Sequence, residues 1–249
     1  MLVVNWCSFG KIDDSCSNGS MTDGLPPIHD LVRFWSRSQD ATIGACVQFR
    51  KMALPRVSHG WLREAAPIVM TRELPENTLR NAVRQRVYYN AQASVLKAVE
   101  LFVKFAGYHE WTGKPLIPTV YRLPNGQVTT IRAIGRYFSQ RTKSEWLVAL
   151  QPRQDNVPNE EQFRMWRTAL SLEFGLADEA TMIVDLSKNV VTQKRELREI
   201  TSRKFAALSK DELDARFELI ASCYAKAVEI VPERPAPLSG KREDPRFPF

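Results

Sequence analysis

The run SEWLVALQ, Ser144 to Gln151, constrains this chain more than any other stretch. Successive side chains of a strand point to opposite faces, and here both alternating sets are apolar, Leu147 with Ala149 and Val148 with Leu150. A strand open to water on one side would gain nothing from that pattern, so this one belongs in the middle of a sheet with helices on both faces. A polar loop follows, then NEEQFRMWRTALSLEFGL, which predicts a helix that starts at an Asn159 N-cap and stops before Gly175. EATMIVDLSKN is a second two-faced strand. Strand, helix and strand in that order predict an α/β fold.

Upstream, PPIHDLVRFWSRSQ and ATIGACVQFRKMAL predict two short amphipathic helices, with Leu31, Phe34 and Trp35 on one apolar face and Ile43, Val47 and Met52 on the other. Pro55 is expected to end the second. From Asn77 to Phe105, apolar residues at i, i+4 and i+7 predict one long helix, closed by Gly107. The period then changes to a hairpin, with a strand at Thr119 to Leu123, a Pro-Asn-Gly turn, and a strand from Gln127 to Phe138. Near the end, Ser209 and Glu212 form a capping box that opens a last long helix. Residues 1–20 are turn-rich without period and are expected to be disordered, with Met21 an alternative start; 21–76 form a small helical region, 77–232 the core with its C-terminal helix, and 233–249 a Pro-rich flexible tail.

An excess of 35 Lys and Arg over 28 Asp and Glu leaves the chain at +7, with a pI near 9.3, which favours an anionic partner. Cys7, Cys16, Cys46 and Cys223 are scattered without a CxxC pair, so neither a zinc module nor a disulfide framework is indicated. His29, His59 and His109 are isolated, without metal-pair spacing. Asp185, an acid in an apolar strand, reads as a strand-end turn cap. No run approaches the roughly 18 apolar residues of a membrane helix, and no signal peptide opens the chain, so no membrane partner and a cytoplasmic location are expected.

The order helix, hairpin, central strand, helix, strand resembles the αβββαβ core of the PD-(D/E)XK nuclease superfamily, above all its RecB-like branch, with extra N-terminal and C-terminal helices. The stretches that carry the resemblance are GRYF at Gly135 to Phe138, LVALQ at Leu147 to Gln151 and QFRMW at Gln162 to Trp166. It implies a first carboxylate at Phe138, a second at Ala149, a lysine at Gln151, and a helical Gln and aromatic at Gln162 and Trp166; Glu100 matches an extra helical acid. Hard Mg²⁺ needs oxygen ligands, and a phenyl ring and a methyl group supply none. Gln162 and Trp166 also fit a plainer reading, since a Gln three residues after an Asn N-cap completes a capping box and an aromatic four residues later faces the core.

The expected function is therefore non-catalytic nucleic-acid binding on a degenerate nuclease-like fold, with no cofactor. The candidate contacts are Arg80, Arg84 and Arg86 for phosphates, Tyr88 and Tyr89 for stacking on bases, and Gln162. Lys194, Arg195, Arg198, Arg203 and Lys204 add charge, diluted by Glu196 and Glu199, in a segment expected to be surface. Two alternatives stay open: a Mg²⁺-dependent nuclease whose ligands have migrated to Glu145, Asp155, Glu160 or Glu161, and a module that binds a protein partner as a scaffold.

Overall fold

The computed structural model describes residues 24–52, 60–71, 76–87, 89–153, 157–189, 191–233 and 235; the expectations for residues 1–20, for Pro55 and for most of 233–249 lie outside them. The chain is an α/β domain. In order it forms α1 (Ile28–Leu31) running into a 3₁₀ turn (Val32–Phe34), α2 (Gln39–Lys51), α3 (Gly60–Met70), α4 (Glu76–Arg86) and α5 (Tyr89–His109). Next come β1 (Trp111–Pro115), β2 (Thr119–Arg122), β3 (Val128–Ile131), β4 (Gly135–Ser139), β5 (Ser144–Gln151), α6 (Glu160–Phe174), β6 (Thr181–Asp185), β7 (Arg198–Ile200) and α7 (Lys210–Ile230).

Five strands make one mixed sheet in the order β1-β4-β5-β6-β7, with β2 and β3 a separate hairpin. Only β5 and β6 are parallel, joined by the crossover helix α6. Central β5 is apolar on both faces because both faces are covered. Leu147 and Ala149 pack with α6, α7 and the first helices, while Val148 and Leu150 pack with α3, α4 and α5. Leu147 to Leu150 are all buried, and each large side chain contributes about 1.5–3 kcal/mol of burial.

Several elements depart from the sequence expectation. The single helix from Asn77 to Phe105 is two helices, and the Gln92 side-chain amide donates to the carbonyls of Arg84 and Val87, supplying partners where the first helix ends. The strand expected from Gln127 to Phe138 splits between two sheets: Val128–Ile131 pairs with β2, while Gly135–Ser139 pairs with β1 and β5. β1 has a single buried side chain, Trp111, so its pairing with β4 leaves no apolar period to read. In α2 the buried face is Thr42, Cys46 and Arg50, and Met52 is 61% exposed. Arg50 sits there because it donates to the carbonyls of Val231 (2.6 Å) and Pro232 (2.6 Å), holding the end of α7 with a cation where the helix dipole is negative.

Both capping boxes are present, Asn159 with Gln162 on α6 and Ser209 with Glu212 on α7. Tyr137, fully buried, lays its ring over Gly113 of β1 and Gly135 of β4. A Cβ at Gly135 would stand 2.4 Å from the Lys114 carbonyl oxygen and 2.4 Å from Tyr137 Cε2, both held by the sheet. Gly135→Ala is expected to lower the unfolding free energy by about 1–3 kcal/mol in urea titration, and an unchanged midpoint would contradict this packing. Val148→Asp should abolish soluble folding, because it buries an unpaired charge between β5 and α5; soluble, cooperatively folding protein would contradict the central position of β5.

Candidate nucleic-acid interface

The strand register decides which of the resemblance positions share a site. Ala149 and Gln151 lie on one face of β5, but Phe138 is paired with Glu145, four residues from Ala149 and so about 13 Å along the strand. Phe138 is partly exposed, whereas Ala149 and Gln151 are buried. Glu100 lies on α5, bound to Lys97 (3.1 Å) and Lys104 (3.0 Å), and these hydrogen bonds hold its carboxyl below the usual range. Gln162 is spent on the fold: its Oε1 accepts from the Asn159 amide, and its Nε2 donates to the carbonyls of Arg33 (2.9 Å) and Trp35 (3.0 Å). Trp166 is core, tilted against His29 at 6.0 Å.

Among the described residues, the carboxylates considered as migrated ligands form no metal-binding group. Glu145 is exposed at the start of β5 and Glu160 is exposed at the start of α6. Glu161 pairs with Arg216 (2.5 Å) and Arg164 (3.3 Å), and the bond from Arg216 holds its carboxyl low. Asp155 lies outside the described residues. Among the described residues, no group of three His, Cys, Asp or Glu side chains is arranged to hold a metal. Of the expected phosphate contacts, Arg80 is half-buried and Arg84 exposed on α4; Tyr88 and the side chains of Arg86 and Tyr89 lie outside what is described.

At the C-terminal edge of the sheet a polar row crosses β5, β6 and β7. Gln151 is paired in register with Asp185, and Asp185 with Arg198. Asp185 accepts from the Ser187 amide (3.1 Å) and hydroxyl (3.0 Å) and from Arg198, so the acid does cap the strand end. Above this row α1 and its 3₁₀ turn bring His29, Asp30 and Arg33, while Arg63 from α3 and Arg153 after β5 complete a basic group around one aspartate. Burial, then the charges of Arg63, Arg153, Arg33 and Arg132, push the His29 pKa well below its ordinary value, so His29 is neutral at pH 7. Burial also lowers Arg33 to about 10 and Arg63 to about 9. Sequence reading missed this group because its members are far apart in the chain; the one signal was Asp30 and Arg33, three apart on an apolar helix face.

On the other face lies an open basin of ≈ 650 Å³ at the start of β5. Trp146 forms its apolar wall, with Nε1 donating to Ser144 Oγ (2.9 Å) and Thr142 Oγ1 (3.2 Å). Arg198, Arg203 and Lys204 supply positive charge, the last two exposed. His109, buried and stacked on Trp111 at 4.6 Å, closes one side and contacts Glu199 (3.3 Å). Beside it in the chain, exposed Tyr108 carries the Arg141 guanidinium over its ring at 3.6 Å. The segment expected as plain charged surface thus contributes β7 and the basic rim of a depression.

Comparison with known proteins gives no match to a family model, to a curated protein or to a solved structure. Among the described residues no helix is long and apolar enough to cross a membrane.

The depressed pKa of His29 fixes the sign of a pH effect. The unfolded chain takes up a proton below about pH 6.5 and the buried imidazole does not, so this contribution to stability is present above that pH and is lost as pH falls, by at most about 1.4 kcal/mol per unit. In His29→Gln, the slope of unfolding free energy against pH between 6.5 and 5 should flatten; a slope equal to that of the unaltered protein would show that His29 is not the group responsible.

Proposed function

We propose that this protein binds nucleic acid without cutting it, on a core of the PD-(D/E)XK kind. The observation that carries the reading is the basin, which is lined by the Trp146 indole together with the cations of Arg203 and Lys204. Phosphates are attracted by clustered Lys and Arg, and bases stack on aromatic faces regardless of sequence. The basin is open, as a site for a flexible single strand must be. The net charge of +7 supports the same partner.

The core reading is supported by element order. Helix α5, antiparallel strands β1, β4 and β5, helix α6 and parallel strand β6 follow one another, with the β2–β3 hairpin inserted after β1. Binding without cleavage is supported by what the strand ends carry. Asp185 and Asp30 are both engaged by arginines, and Ala149 offers no ligand atom. Proton transfer, metal binding and water activation at one phosphate would need groups that these positions do not offer.

The test is a fluorescence-anisotropy titration of a single-stranded oligonucleotide in EDTA, with a parallel cleavage assay in Mg²⁺ and in Mn²⁺. Binding in EDTA and an intact oligonucleotide are expected. The double substitution Arg203→Ala and Lys204→Ala should weaken binding and lower the slope of log K against log salt by about 0.7 for each phosphate no longer neutralised. Absence of binding at low salt would sink the reading, and metal-dependent cleavage would replace it with a nuclease of rearranged ligands.

A further inference from the structure

The basic group above the sheet edge is short of acceptors. Arg33 is 8% exposed, yet its Nε, Nη1 and Nη2 have no hydrogen-bond partner, and its nearest acid is Asp30 Oδ1 at 3.9 Å. Gln151 is 0% exposed, and neither its Oε1 nor its Nε2 is partnered. Arg63 donates weakly to the Leu150 carbonyl (3.4 Å) and has an unpartnered Nη2. Asp30 binds Arg153 through Oδ2 at 2.8 Å while its buried Oδ1 has no hydrogen-bond partner, and Asp185, which also acts on Arg33, is engaged by Arg198, so two carboxylates stand against the four guanidinium groups of Arg33, Arg63, Arg153 and Arg198. His29, neutral, brings no charge of its own.

A buried cation whose donors lack hydrogen-bond partners is costly even beside a carboxylate, and an orphaned amide adds to that cost. Water can satisfy hydrogen bonds but cannot compensate charge. A tetrahedral oxyanion does both, because its oxygens accept from several planar guanidinium forks and from an amide N–H at once. We propose that the side chains of Arg33, Arg63, Arg153 and Gln151 form a binding site for one phosphate-class oxyanion, either inorganic phosphate or a terminal phosphomonoester. The unpartnered atoms of Arg33, Arg63 and Gln151 are sealed from solvent while the Arg153 side chain is 29% exposed, so the ligand that fits is a small ion or a chain end entering past Arg153, not the interior of a duplex backbone. This site is separate from the basin and does not depend on nucleic acid binding there.

Thermal unfolding is followed at constant ionic strength, with sodium phosphate replacing sodium chloride. Phosphate at ten times its Kd should raise the Tm by about 3–6 °C for a chain of this size. Arg33→Met removes a buried charge that has no hydrogen-bond partner while keeping volume; it is expected to be no less stable than the unaltered protein without phosphate and to show no phosphate-dependent rise. Gln151→Met serves as the second variant, with a reduced rise expected, should Arg33→Met not yield soluble protein. A second arm compares 5′-phosphorylated with 5′-hydroxyl oligonucleotides: tighter binding of the phosphorylated form identifies a terminal phosphate, equal binding together with the Tm rise identifies free phosphate. An unaltered Tm up to about 20 mM phosphate overturns the site, as does a rise of equal size in the soluble variants. Loss of oligonucleotide binding with the Tm rise retained would instead remove the basin reading and leave this one standing.

Discussion

Burial of β5 on both faces is the constraint from which the rest of this structure follows. Four consecutive apolar side chains, Leu147 to Leu150, require a layer on each side, and the chain supplies one from α6, α7 and the N-terminal helices and the other from α3, α4 and α5. Because β5 pairs antiparallel with β4 and parallel with β6, helix α6 must cross over between β5 and β6. The strand also sets the two chemically distinct ends of the sheet. Its C-terminal end places buried Gln151 in register with Asp185, and its start delivers Trp146 into an open basin.

Much of this was legible in the sequence where local pattern and tertiary demand coincide. The two-faced run of β5, the Asn159 and Ser209 caps and the two-faced β6 state their roles in a few residues each, and the structure agrees. The plain reading of Gln162 and Trp166, a capping box and a core aromatic, is the one the hydrogen bonds and burial bear out. Illegible parts are those fixed from outside the segment. Strand β1 has one buried side chain and takes its place through pairing with β4, and the cross-strand carbonyls of Arg136 and Lys114 together with Tyr137 account for glycine at 113 and 135. The continuous period from Asn77 to Phe105 hides a break whose freed carbonyls are taken by Gln92, an interaction no period reports.

The same distinction separates the two sites. Residues of the basin come from two short stretches, 142–146 and 197–204, together with His109 and Met182, and the basic content of the second stretch was visible as composition, though its fold was not. The arginine group draws on α1, α3 and the end of β5, and its members meet only in three dimensions. Motif spacing also grouped Phe138 with Ala149 and Gln151, while the antiparallel register separates them, because spacing along the chain carries no information on where a neighbouring strand begins.

Charge, more than the sheet itself, sets the character of the two regions. Around the sheet edge the acids are held by arginines, and in the basin the exposed Arg203 and Lys204 adjoin the half-buried Trp146 indole. The most direct measurement is amide hydrogen exchange with and without a single-stranded oligonucleotide, in EDTA. The account predicts that protection on binding concentrates at residues 142–146 and 198–204. Exchange unchanged in both stretches, with the oligonucleotide demonstrably bound, would contradict it.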